Sequence, residues 1–168
     1  ASVLINEGSQ PTAGDPDWST CTTTANATTY TLASTAQGLH ILKVWSKDPN
    51  GNISTTSNDL IVYYDTVNPT LAPTTPGIQK GGNSINLSWD ATDESTSSSQ
   101  SFQVDFYNGS AWSSVGTTTA ANGPLSSQSF SRAWTVPSLD ITNARFRVSF
   151  TDLAGNSSTV QSSAFEID

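Results

Sequence analysis

Six oxygen-bearing side chains stand out as able to do chemistry together: Asp65, Asn68, Asp90, Asp93, Glu94 and Asp152. They fall in three polar stretches, residues 65–70, 90–100 and 152–156, separated by runs of apolar strand-forming residues. Hard oxygen ligands of this kind suit Ca²⁺, which takes about six to eight oxygens at once. If the three stretches meet at one end of a β domain, the six residues form a Ca²⁺ site at the junction with the preceding domain, and the ion stiffens that junction. The competing reading is that the acids cap turns and face water.

Other chemistry fails on the inventory. His40 is the only histidine, and it sits at the start of an apolar strand without an obvious partner. Serine is abundant, but no G-x-S-x-G elbow presents one as a nucleophile. Nothing places two carboxylates across a cleft as sugar hydrolysis requires. The sequence therefore reads as non-enzymatic, with no catalytic residue and no cofactor beyond the possible Ca²⁺. With only six Lys and Arg against 14 Asp and Glu, and a net charge of −8, no basic stripe exists to follow nucleic acid. The longest apolar run, residues 60–64, is far short of the ~20 needed for a membrane span. Asp48-Pro49-Asn50-Gly51-Asn52 has the opening of an EF-hand loop, but with Gly at the fourth position instead of the sixth.

The elements that must position these residues are strands. Charged residues make up 12% of the chain, and Ser, Thr, Asn and Gly separate short runs of Val, Ile, Leu and aromatic residues. Period-two alternation appears in Ile85-Leu87-Trp89, Phe102-Val104-Phe106 and Phe146-Val148-Phe150. Strands are predicted at 84–89, 101–107, 111–115, 127–136, 144–151 and 160–167, with a weaker one near Leu71. The chain has no Met and no leader pattern, and so reads as a fragment or processed piece. Cys21 is the single cysteine, so an internal disulfide is excluded and any partner lies elsewhere.

A repeat organises the chain. Residues 44–54 match residues 148–158 at a constant offset of 104, with Asp48 aligned on Asp152, Gly51 on Gly155 and Asn52 on Asn156. A module of about a hundred residues is the size of an immunoglobulin-type sandwich. Residues 67–168 supply a complete module. Residues 1–66 supply a partial one whose first two strands, A and B, are missing, so open edges and an open core face are expected there, covered by a cleaved segment, by a neighbouring molecule or by a non-standard compact fold. Trp18 and Trp112 occupy matching positions and read as core residues, with sugar stacking as the alternative for Trp112. The sequons at Asn26, Asn86 and Asn108 are expected by chance in so polar a chain.

The two D-x-x-G-N-x-S segments, residues 48–54 and 152–158, together with the linker Asp65-Thr66-Val67-Asn68-Pro69-Thr70, resemble the hairpins and junctions of bacterial immunoglobulin-like repeats. The resemblance implies an all-β chain of tandem immunoglobulin-like or fibronectin-III-like sandwiches. It implies a non-catalytic stalk or adhesion segment of a secreted or cell-surface bacterial protein, with neighbouring modules and an unknown protein or glycan as partners. The alternatives are an accessory binding domain of a secreted hydrolase and a fibre subunit completed by strands from another chain.

Overall fold

The computed structural model describes residues 1–21, 29–96 and 99–168. The sequon at Asn26, and Ser97 and Ser98 of the expected acidic loop, lie outside the described residues. Every regular element among the described residues is a β-strand, and the strands pair antiparallel in several sheets consistent with a sandwich. Among the described residues, no helix is long and apolar enough to cross a membrane. The chain divides into two compact units, Ala1–Tyr64 and Asp65–Asp168.

The first unit contains β1 (Ser2–Asn6), β2 (Ser19–Thr20), β3 (Gly38–Lys47) and β4 (Asn58–Tyr64), in the order β2-β1-β3-β4. Opposed residues of an antiparallel pair share a face. The pairs Leu39 with Tyr63 and Ile41 with Ile61 therefore line one face, and all four are exposed. His40 and Leu42, on the other face, are buried. The Nδ1 of His40 lies 3.2 Å from the Glu7 carboxylate and its Nε2 lies 2.9 Å from the Ala36 carbonyl. Those two hydrogen bonds raise the pKa of His40, the Ala36 carbonyl contributing most.

The second unit contains β5 (Thr70–Thr74), β6 (Ser84–Asp93), β7 (Ser101–Tyr107), β8 (Trp112–Thr119), β9 (Leu125–Thr135), β10 (Ile141–Thr151), β11 (Ser157–Gln161) and β12 (Phe165–Ile167). One sheet runs β5-β6-β9; the other runs β11-β10-β7-β8, with β12 also paired to β10. Alternation sends Leu87, Trp89 and Ala91 of β6 and Phe102, Val104, Phe106, Phe146, Val148 and Phe150 of β7 and β10 into one core. Phe102 is fully buried at its centre, its ring 4.3 Å from Phe150, 4.6 Å from Phe130 and 5.5 Å from Trp89 between centroids.

Two expectations are corrected by this arrangement. The predicted strand 160–167 is two strands, because Val160 and Ser162 face inward at one parity while Phe165 and Ile167 do so at the other. The break is held by Ser162, whose hydroxyl accepts from the Phe146 amide and whose amide donates to the Phe146 carbonyl. Trp18 and Trp112 are half-buried surface residues outside the buried core, each with a cation 4.5 Å from its ring, Lys47 in the first case and Arg147 in the second.

Truncating the central ring removes its apolar burial and leaves a cavity that flanking aromatic rings fill only in part. Phe102→Ala is expected to cost about 3–5 kcal/mol of stability. Urea unfolding followed by tryptophan fluorescence measures this, and a loss under about 1 kcal/mol would mean the ring is not central to the core.

Candidate metal centre

The repeated hairpins are alike down to their hydrogen bonds. In the first unit the Asn52 amide donates to Asp48 Oδ1 and its Nδ2 to Asp48 Oδ2, both at 2.8 Å. In the second, Asn156 does the same to Asp152, both at 2.9 Å. The Asp48 and Asp152 amides donate back to the Asn52 and Asn156 carbonyls, at 2.9 Å and 3.0 Å. Gly51 and Gly155 take φ values of 91° and 95°, a region in which a β-carbon is strained. The aspartate clips its hairpin, and the glycine just before the asparagine takes the positive φ that closes the turn between them.

Strand alternation then places the acids of the second unit. Asp152 continues the inward parity of Phe146, Val148 and Phe150 one step past the end of β10. Asp93 continues that of Leu87, Trp89 and Ala91 at the end of β6. Two carboxylates from opposite sheets thus close the same end of the core. Asp65, first residue of the unit, joins them. The three side chains offer oxygens that all lie within 4.8 Å of one another. Asp65 is 8% exposed and Asp152 4%, while Asp93 is half-buried.

Their hydrogen bonds come from neutral donors. The Ser95 hydroxyl donates to Asp65 Oδ2 at 2.7 Å and its amide to Asp93 Oδ2 at 3.2 Å. The Val67 amide donates to Asp65 Oδ1 at 2.9 Å, and Asn156 Nδ2 also reaches the Asp65 carbonyl at 3.2 Å. None of the ion pairs among the described residues involves the three acids. Loss of hydration pushes the Asp93 carboxyl up to about 6, against the Ser95 amide, and the negative charges of Asp152 and Asp65 add to the rise. At neutral pH the cluster therefore concentrates negative charge where water is scarce, and a proton or a cation relieves it.

Of the six residues expected to converge, the structure brings three together: Asp65, Asp93 and Asp152. Asn68 and Glu94 are exposed and line an adjoining groove of about 130 Å³ with Val67, Thr70, Thr92 and Leu125. Asp90 is corrected out of the site. It lies within β6 instead of the loop, at outward parity, and accepts a hydrogen bond from the Ser129 hydroxyl of β9. The two residues missed from sequence are Ser95 and Asn156, the donors that hold the carboxylates. Ser95 follows Asp93 at the two-residue spacing of an Asx turn, and Asn156 follows Asp152 across the Gly155 turn, as Asn52 follows Asp48 across Gly51; those spacings were the available signal. Against family models and curated proteins, the chain finds no match.

The raised Asp93 pKa fixes a sign for pH dependence. Between the ordinary value of 3.8 and the folded value of about 6, the folded protein binds the proton more tightly than the unfolded chain. The stabilisation is complete below the lower value and is lost as pH rises through the higher one. In chelator, wild type is therefore expected to lose stability relative to Asp93→Asn between pH 4 and pH 7. Thermal melts of both proteins across that range measure it; a difference that does not change with pH contradicts the desolvated-carboxylate reading.

Proposed function

We propose that the chain is a non-catalytic spacer and adhesion segment of a secreted or cell-surface bacterial protein, built from immunoglobulin-like modules and stabilised by Ca²⁺. The observation that carries this reading is the twin hairpin, two clips with the same hydrogen bonds 104 residues apart, Asp48 to Asn52 and Asp152 to Asn156. A chain that repeats a β unit at fixed spacing is suited to setting distance. The strand orders β5-β6-β9 and β11-β10-β7-β8 support an immunoglobulin-like or fibronectin-III-like assignment for the second unit. For the first, β1 pairs with β3 as β7 pairs with β10, with Ile5 opposite Val44 and Val104 opposite Val148, which supports a module lacking two strands.

The non-catalytic part is supported by His40, whose two ring nitrogens are both engaged by Glu7 and Ala36. Ca²⁺ would be taken by Asp65, Asp93 and Asp152, with Asn68 and Glu94 near enough in sequence to complete the oxygen set. Held there, it ties the chain's point of arrival in the second unit to the ends of β6 and β10. A spacer gains from this because tension on the chain at Asp65 is passed directly into both sheets.

Mechanical unfolding of the chain tests the proposal. The second unit is expected to open in one discrete event, at higher force in millimolar calcium than in chelator. Gradual extension without an event contradicts the spacer, and equal forces in the two conditions contradict the calcium part. In the same buffers calcium should raise the melting temperature of wild type and leave that of Asp152→Asn nearly unchanged.

A further inference from the structure

The outer face of the β11-β10-β7-β8 sheet carries a second constellation, on the side opposite the core. Register sets it out in rows. Trp112 is opposite Tyr107 and Tyr107 is opposite Arg145 in one row; Asp105 is opposite Arg147 and Arg147 is opposite Gln161 in the next. Tyr107, Trp112, Asn143, Arg145 and Gln161 line a groove of about 340 Å³. The Tyr107 and Trp112 rings lie 5.2 Å apart between centroids and are inclined by 41°, both half-buried. The Tyr107 hydroxyl is held by the Gly109 carbonyl at 2.9 Å.

The polar groups around the rings divide into two kinds. Arg147 is fixed: its Nε donates to Asp105 Oδ2 at 2.9 Å and its guanidinium lies 4.5 Å from the Trp112 ring centroid. The other Asp105 oxygen accepts from Gln103 Nε2 at 2.8 Å, so both oxygens of the carboxylate beside Arg147 have partners. The side chains of Arg145, Asn143 and Gln161 make no hydrogen bond or ion pair among the described residues. Two of the three arginines in a chain of net charge −8 thus stand side by side here, one neutralised and one not.

We propose that this face binds an acidic carbohydrate, a pyranose carrying a carboxylate. The inclined aromatic pair offers an apolar surface to the C–H face of a sugar ring. Arg145 offers a planar fork for the carboxylate, and a fork of this geometry favours bidentate pairing with planar anions. Asn143 and Gln161 supply amide donors and acceptors for ring hydroxyls. A neutral sugar would leave the Arg145 fork facing the ligand unpaired, which sets the preference for the acid. Two arginines without a basic stripe do not suit a nucleic acid. This inference rests on the adhesion reading and gives it a ligand class.

The test titrates the full chain with trigalacturonate and 3′-sialyllactose, and with galactotriose and lactose as their neutral counterparts, reading tryptophan fluorescence and amide shifts. At least one acidic ligand is expected to bind about tenfold or more tightly than its neutral counterpart. Arg145→Gln should remove that preference, Trp112→Ala should weaken binding about tenfold or more, and Asn86→Ala on the opposite sheet should change nothing. Absence of binding by both acidic ligands at about 10 mM, or equal binding of acidic and neutral ligands, overturns the proposal. Should binding fail while the calcium response and the discrete unfolding event persist, the ligand class falls and the spacer reading stands. Should the unfolding event be missing while binding persists, the reverse holds.

Discussion

Everything placed by the second unit depends on the stack of aromatic rings between its two sheets. Phe102 meets Phe150 from the same sheet and Trp89 and Phe130 from the facing one. Aromatic side chains bury ~150–250 Å² each, so a few of them in contact suffice to hold two thin sheets in a chain only 35% hydrophobic. The stack sets which parity of each strand faces inward. That parity decides everything else: which acids end up at the closed end of the core, and which aromatic and basic groups are left on the outer surface.

Two consequences follow from the same alternation. Along β6 and β10 the inward positions run hydrophobic until the last step, where each becomes aspartate. At Asp93 the loss of hydration, with the negative charges of Asp152 and Asp65 nearby, raises the cost of ionising the carboxyl. Along β7 and β10 the outward positions include Asp105, Tyr107, Asn143, Arg145 and Arg147, polar and aromatic groups that the core does not use. The proposed cation and the proposed carbohydrate thus use the two opposite outcomes of one structural rule.

Much of this could be read from the residues. The alternating triplets located β6, β7 and β10, and the Gly51 and Gly155 repeats located both hairpins. Ends of strands were less legible. Asp90 was expected in a loop because three acids fall within five positions, yet the inward set Leu87, Trp89, Ala91 already put Asp90 outward and Asp93 inward. The division of 160–167 was likewise written in the change of parity between Ser162 and Phe165, which a hydrophobic run alone conceals. Trp112 misled for a different reason: recurrence at matching positions does not by itself mean burial, and Trp112 lies on a sheet surface under the Arg147 guanidinium. The pairing of Arg145 with the Tyr107 and Trp112 rings depended on cross-strand register, which no single strand pattern contains.

On the proposed reading, the Asp65, Asp93 and Asp152 cluster exchanges a proton for a divalent cation. Calorimetric titration of calcium into the metal-stripped chain near pH 6, repeated in two buffers of different ionisation enthalpy, tests it most directly. The expected result is a single saturable site whose apparent heat differs between the buffers because Asp93 releases its proton on binding. A flat titration, or a saturable site whose heat is the same in both buffers and survives Asp93→Asn, contradicts the account.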